Sequence, residues 1–509
     1  MGIPSYFSYI IRNHMKVLQK FNAQTHKFHN LYLDSNSIIY DSVREIEKAG
    51  KMNPVPAENF QIISATVCSK IQKYIDEIRP SNTVYIAFDG VAPFAKMKQQ
   101  RTRRFRAAFM EYHGIIPKPL FSTIQITPGT DFMIFLSKYV NKHFAKKANI
   151  IVSASDEPGE GEHKLFQYIR DNPEKHIREN TLIYGLDADL LMLSIFHHEM
   201  SNLFVYREAP EFAKSLNADL ENGASYILDI TQLCSSILIE MGCSQHARIY
   251  DYAFLCFMLG NDFLPHLPAL NIRTNGIKHL LDAYKATIGL SQNYFIIQNN
   301  EIQWEQFDKV VRWMAVREEG WIQEEYLKRN KMRIDMNVDK ETLFNNAPLI
   351  YREEEHYINP MEPGWEKRYK DICGKEEKEK EYKCGLSWVY RYYREWEVDR
   401  KWKYEGVGPL LKEMSGGGGN KSIIKKRESA WVDVYEQLEY VLPKEEDIVK
   451  KKFEWTFCRY AWESREPTDS ASLPPLRPLP VGNLRFPYDP SLKETYGFSP
   501  LKKQLNKYS

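Results

Sequence analysis

Seven carboxylates stand where short apolar segments give way to turns: Asp34, Asp89, Glu160, Glu162, Asp187, Asp189 and Asp262. Asp34, Asp89 and the Asp187/Asp189 pair close three aliphatic runs, Glu160 and Glu162 follow a fourth through Pro158-Gly159, and Asp262 follows the apolar stretch 253–259 through Gly260-Asn261. In an open α/β sheet, residues just past the carboxyl ends of the strands are the ones that meet in a common crevice. Gathered there, these acids would repel one another and raise each other's pKa unless cations neutralise them. Hard oxygen donors of this kind suit Mg²⁺ or Mn²⁺, and two such ions about 4 Å apart activate water and stabilise the leaving oxygen in phosphodiester hydrolysis. A single Asp at a strand end is more often a turn or cap residue. The ordered set is the signal, because caps alone would use Ser, Thr or Asn at several of these places.

Shortly after Asp89, six cations fall between Gly90 and Ala108 with no acid among them: Lys96, Lys98, Arg101, Arg103, Arg104 and Arg106. On a helix, Lys96, Gln100, Arg103 and Arg104 share one face at four- and three-residue steps. That face suits a clamp for a terminal phosphate, through the bidentate fork of arginine and a further donor from the glutamine amide. A solvated basic face is the bland alternative. Tyr40, one to two turns after Asp34, fits either stacking on a nucleic-acid base or a place in the core. His163 and His266 beside the acids read as packed histidines. Core packing is likewise the better reading for most of Trp388, Tyr390, Tyr392, Tyr393, Trp396 and Trp402.

The elements that must position these residues are legible as alternating patterns. Strand-like runs at 30–34, 83–89, 149–153 and 181–187 are separated by helical periodicities, such as Phe60, Ile63, Val67, Ile71, Tyr74 and Ile78 before Pro80. Strands alternating with helices predict an α/β domain around a mostly parallel sheet. At 509 residues the chain exceeds one core, so a nuclease-type domain over 1–350 and a smaller C-terminal lobe over 351–509 are expected. The lobe carries four consecutive glycines within 415–420 and a proline-rich stretch at 473–480. A net charge of +2 excludes a globally basic nucleic-acid binder and leaves local clustering to make any polyanion site. Seven scattered cysteines without a Cys-x-x-Cys pair argue against structural zinc and for reduced thiols. With no secretory leader pattern and no long apolar run, a soluble intracellular protein without a membrane partner is expected.

Taken in order, MGIPSYF, LYLDSNSIIY, DGVAPFAKMKQQRTRRFR, ITPGTDFM, PGEGEHK, YGLDADLLML and LGNDFLPHLP, spread over about residues 1–285, resemble the catalytic region of the XRN family of 5′-to-3′ exoribonucleases. CGLSWVYRYY and QLEYVLP continue the likeness into the C-terminal lobe. The resemblance implies a flap-nuclease-like (PIN-like) α/β core embraced by a second conserved region. It implies metal ligands at Asp34, Asp89, Glu160, Glu162, Asp187, Asp189 and Asp262 for two Mg²⁺ or Mn²⁺ ions, and a 5′-phosphate pocket of Lys96, Gln100, Arg103 and Arg104. The activity it implies is hydrolysis of single-stranded RNA bearing a 5′-monophosphate to nucleoside 5′-monophosphates, in RNA turnover. Tyr40 stands where the family usually has a base-stacking histidine, and 401–409 departs from the family's aromatic and proline-rich segment. The alternatives are a structure-specific DNA flap nuclease, which shares the acidic core, and an RNA-binding protein without catalysis, whose expected mark of a lost ligand is absent. The expected compartment is cytoplasmic before nuclear, a viral source fits equally, and protein partners are left open.

Overall fold

A computed structural model describes residues 2–443 apart from 4, 186, 209–219, 222, 333–336, 343, 345–351, 374–377 and 416–428. The glycines of 415–420 and the proline-rich stretch at 473–480 lie outside the described residues. Seven strands form the main sheet: β1 (Leu18–Lys20), β2 (Asn30–Asp34), β3 (Thr83–Ala87), β4 (Ile150–Ser153), β5 (Asn180–Tyr184), β6 (Asn202–Glu208) and β7 (Ser225–Asp229). Their order is β1-β7-β6-β5-β2-β3-β4. From β4 across to β6 all neighbours are parallel, while β7 runs antiparallel to both β6 and β1. This is the mostly parallel, helix-flanked sheet that the alternating pattern predicts.

The first eight helices are α1 (Tyr6–Asn13), α2 (Asn36–Lys48), α3 (Phe60–Ile78), α4 (Phe94–Tyr112), α5 (Asp131–Phe144), α6 (Gly161–Asp171), α7 (Pro173–His176) and α8 (Asp189–His197). α3 stops at Arg79, which takes a left-handed conformation at φ 53° just before Pro80. α5 starts on Thr130, whose hydroxyl accepts from the Met133 N–H. Side chains alternate across the strands as the pleat requires. Leu31, Leu33, Val84, Ile86 and Leu182 face one core with the apolar stripes of α2, α3 and α5, and Tyr32, Tyr85 and Ile183 face the other with α6 and α8.

From β2 the chain winds outward to β3 and β4, then returns to lay β5 on the other side of β2 and continues to β6. The carboxyl ends of β2 and β5 therefore flank the point where the winding reverses, which is where open α/β sheets form their crevice. Asp34 is the last residue of β2, and Asp187 and Asp189 follow β5.

The second core does not end with the sheet. It runs from Ile3 through α6 and α8 to the helix Glu379–Arg394 and on to Met414. That helix buries Tyr382, Leu386, Trp388, Val389, Tyr390, Tyr392 and Tyr393. Gly385 lets it approach closely, since a Cβ there would lie 2.6 Å from Leu264 and 3.0 Å from Trp402. Among the described residues no helix is long and apolar enough to cross a membrane.

Because residues on both sides of 350 share this core, Leu386→Ala is expected to destabilise the protein by about 2–5 kcal/mol and to shift one cooperative melting transition. Calorimetry that instead splits into two transitions, with only the smaller one moved, would show that the C-terminal helix melts on its own.

Candidate metal centre and phosphate pocket

The acids predicted from the sequence converge on the crevice, each delivered by a different local device. Asp34 arrives at the end of a fully buried strand. Asp89, two residues past β3, is clamped by Asn36 from the first turn of α2. The Asn36 amide N–H₂ donates to Asp89 Oδ2, and the Asp89 backbone N–H returns a bond of 3.1 Å to Asn36 Oδ1. Glu160 is the N-cap residue of α6 and Glu162 lies in its first turn. Between them, the Gly161 N–H donates to Asp89 Oδ1 at 2.7 Å. A side chain at 161 would place its Cβ 2.8 Å from Asp34 Oδ1, so glycine is what allows three acids to close around this point. Asp262 is aimed by a turn in which Asn261 Oδ1 accepts from the backbone N–H groups of Phe263 and Leu264, both at 2.9 Å.

Two groupings result. Asp34, Asp89 and Glu162 each present an oxygen within 4.8 Å of the others, as do Glu160 and Glu162 with a ring nitrogen of His163. On the other side, Asp189 and Asp262 act on each other electrostatically, and Asp187 is exposed at the mouth, close enough to act on Asp34 and Asp262. Lys96 joins the two, its ammonium lying 2.5 Å from Glu160 Oε2 and 2.7 Å from Asp262 Oδ2. Gln99 adds a hydrogen bond to Asp262 Oδ1.

The cations acting on the cluster do not balance all of its acids. Burial, then the charges of Asp89 and Asp187, holds Asp34 well above the usual carboxylate range, and burial with Glu160 and Asp34 does the same to Glu162. Burial and Asp262 push Asp189 up to about 6. Asp262 and Asp187 are the exceptions: burial alone would raise both, but the Lys96 ammonium in contact keeps Asp262 below the normal range, and the chain's amino-terminal charge lowers Asp187. Asp34 Oδ1 is buried without a hydrogen-bond partner. A charge-deficient cluster of hard oxygens with an orphaned carboxylate oxygen fits a divalent cation.

The expected phosphate residues lie on α4, where its amino-terminal half meets the cluster. Lys96 and Gln100 are buried, Gln100 Oε1 is without a partner, and Arg103 is exposed. Lys96 is thus engaged by acids rather than facing open solvent. Arg104 is braced, donating to Thr127 Oγ1 at 2.8 Å and to the Ile126 carbonyl at 3.3 Å. Tyr40 is 37% exposed on α2 rather than packed in the core, with the charges of Arg103 and Arg104 acting on its phenol. Lys98 and Arg101 serve differently: Lys98 donates to the Tyr404 carbonyl at 3.1 Å, and Arg101 donates to the Tyr440 carbonyl and lies over the Tyr440 ring.

His163 is the packed histidine expected, its ring 3.9 Å from that of Tyr392 and stacked with Trp396. Burial holds it well below the usual imidazole range. Sequence reasoning missed Asn36, Gln99, Tyr392 and Tyr393 as partners of the acids. Asn36 sits in the LYLDSNSIIY block and Gln99 in the basic one, so proximity was the available signal. Tyr392 and Tyr393 touch acids 232 and 204 residues away, where no local pattern points.

Buried acids at a sheet switch point, backed by a cationic helix, have the makings of a metal-dependent phosphodiester hydrolase. The XRN 5′-3′ exonuclease N-terminus family matches residues 1–209, and the Xrn1 helical domain matches 245–362. Together the matches take in more than half of the chain, which belongs to the XRN family. Among relatives, 5′-3′ exoribonuclease 1 of Saccharomyces cerevisiae is 34% identical over 58% of this chain and 21% of its own length. The Schizosaccharomyces pombe 5′-3′ exoribonuclease 1 is 30% identical over 58% and 24%, and 5′-3′ exoribonuclease 2 of Arabidopsis thaliana is 29% identical over 58% and 37%. The chain thus spans well under half the length of the curated relatives it matches. The catalytic core of Rad2 in complex with DNA substrate is similar at 12% identity and a TM-score of 0.37, over 81% of this chain and 92% of that one, a likeness too weak to add to what the sheet itself defines.

The raised carboxyls carry a pH prediction. With folded pKa values above the unfolded ones, these carboxyls retain protons in the folded protein that the unfolded chain releases above about pH 4, so their contribution to metal-free stability falls as pH rises through and beyond about 6. A divalent cation competes with those protons. Added Mg²⁺ is therefore expected to raise the melting temperature more at about pH 8 than at about pH 5.5. The same Mg²⁺ effect at both values would count against a metal-binding cluster.

Proposed function

We propose that this chain is a 5′-to-3′ exoribonuclease that hydrolyses single-stranded RNA carrying a 5′-monophosphate and releases nucleoside 5′-monophosphates, in RNA turnover. What carries the reading is Lys96, which ties the basic helix α4 directly to Glu160 and Asp262, so that phosphate-binding side chains and acids belong to one site. The names of the relatives, 5′-3′ exoribonuclease 1 and 2, support it. Residues 1–350 form the nuclease domain in this reading, and 351–509 a lobe that supports it.

Asp34, Asp89, Glu160 and Glu162 on one side, and Asp187, Asp189 and Asp262 on the other, hold two divalent cations, Mg²⁺ or Mn²⁺. Such ions, when bound, activate water and neutralise charge on the leaving oxygen. The chain's own side chains do the rest. Arg103 and Arg104 receive the terminal phosphate with Gln100 and Lys96 behind them, fixing the first internucleotide linkage against the acids. A capped or triphosphate end brings more bulk and charge than a pocket closed by buried Lys96 and Gln100 accommodates. Tyr40 offers an aromatic face to a base at the mouth, which holds single strands without reading sequence.

Digestion of one RNA bearing a 5′-monophosphate, hydroxyl, triphosphate or cap, beside a DNA flap substrate and with EDTA controls, tests the reading. Turnover should be restricted to the monophosphate RNA and abolished by EDTA; preference for the flap would assign the chain to structure-specific DNA cleavage instead. Arg103→Ala should cut the advantage of the 5′-monophosphate over the 5′-hydroxyl by about 1.5–3 kcal/mol, or roughly tenfold to more than a hundredfold. Equal losses on both ends would make the cluster a general backbone contact. Tyr40→Phe should be nearly silent, while Tyr40→Ala should lose about 1–3 kcal/mol of substrate stabilisation at unchanged melting temperature. An alanine variant that melts early would return Tyr40 to a packing role.

A further inference from the structure

The helix Glu379–Arg394 lies beyond both family matches, which end at 209 and 362, yet two adjacent side chains of it reach the acids. Tyr392 donates its hydroxyl to Glu160 Oε1 at 2.6 Å, and Tyr393 donates to Asp189 Oδ1. Both tyrosines are fully buried. The two acids belong to different halves of the cluster, Glu160 at the start of α6 and Asp189 at the start of α8.

Packing fixes these hydroxyls closely. The Tyr392 ring is stacked on Trp388 at 4.9 Å, with the His163 ring also in contact at 3.9 Å. Tyr393 sits against Phe257 at 5.1 Å. The helix is anchored at its other end by the Tyr382 hydroxyl, which donates to the Pro265 carbonyl at 2.7 Å, on the same segment that carries Asp262.

A residue needed only to fill this core would be phenylalanine, as Phe196, Phe257 and Phe263 are nearby. Burying a phenol hydroxyl is costly unless it is bonded, and here each hydroxyl is spent on a carboxylate. A carboxylate offers about four lone-pair positions, so a single donor fixes its rotation while leaving others available.

We propose that Tyr392 and Tyr393 are positioning residues that lock the carboxylates of Glu160 and Asp189, one in each half of the cluster, in the orientation that binds divalent metal. This rests on the reading of the cluster as a metal centre, and it extends that centre to a helix outside the matched regions. Partners that hold a ligating side chain typically matter by about 10–100-fold in metal affinity.

The test uses the full chain and Mn²⁺ alone, followed by electron paramagnetic resonance of the free ion, with the melting temperature of the metal-free protein measured alongside. Tyr393→Phe and Tyr392→Phe should each weaken Mn²⁺ binding about tenfold or more in a metal-free protein that still melts in one cooperative transition. Tyr390→Phe is the matched control, a buried tyrosine of the same helix that bonds no acid among the described residues. Wild-type affinity in both variants, an equal loss in Tyr390→Phe, or loss of the cooperative metal-free transition would overturn the proposal and leave the two tyrosines as core. Asp189→Ala separates the two levels of inference. If it too binds Mn²⁺ as the wild type does, the metal centre itself fails and this proposal fails with it; if it alone loses Mn²⁺, only the tyrosine assignment is wrong.

Discussion

Carboxylates collected at one edge of a sheet repel one another, and that repulsion sets the terms for everything packed around them. Oxygens of Asp34, Asp89 and Glu162 lie within 4.8 Å of one another. At that separation and an effective dielectric of about 20, each pair of charges opposes folding by roughly 3.5 kcal/mol, against a total stability of only about 5–15 kcal/mol for a typical domain. The protein answers with donors placed one by one. Lys96 bridges Glu160 and Asp262, the first N–H of α6 bonds Asp89, Asn36 clamps Asp89 again, and two tyrosine hydroxyls hold Glu160 and Asp189. These donors still leave Asp34 and Glu162 well above the carboxylate range, a charge deficit of the kind a divalent cation would fill.

Holding such a cluster away from water takes more surrounding mass than the sheet provides. The core on the α6 and α8 face is completed by Trp388, Tyr390, Tyr392 and Tyr393 from a helix some two hundred residues later in the chain. The segment carrying Asp262 is enclosed between that helix and α4, with Phe263 packed against Trp388 at 5.1 Å. Burial that raises the acids' pKa values and burial that stabilises the fold are therefore the same contacts. The C-terminal helix contributes to both at once, which makes it part of the site's electrostatics as well as of its packing.

How much of this could be read from the sequence depended on whether the signal was local. β2 was legible to the residue, and β3, β4 and β5 to within a few, because a short aliphatic run bounded by turn residues has few other fates. All of the acids were visible too, since each stands at a turn after an apolar segment. β1, β6 and β7 were not, because β1 is a three-residue edge strand and β6 carries polar and charged residues at both ends. The tyrosine hydroxyls on Glu160 and Asp189 were illegible for a different reason. In the sequence, Trp388 to Trp396 is an aromatic stripe that fits a core, and it is one; only tertiary placement shows which two rings carry a hydroxyl onto an acid.

The basic helix shows why a net charge near zero says little about a site of this kind. Its cations divide among separate tasks by position on the helix. Lys96 turns inward, where its compact ammonium meets two carboxylates from different elements. Lys98 and Arg101 hold backbone carbonyls at Tyr404 and Tyr440, and so fasten the C-terminal segments over α4. Arg104 is braced on the loop before α5, and Arg103 alone of this inner pair faces solvent. Since one helix carries all of them, the place of Arg103 on α4 relative to the acids is set by the same Lys96 contacts to Glu160 and Asp262. On the proposed reading, a phosphate bound at Arg103 would lie on the same helix that Lys96 ties to the carboxylates.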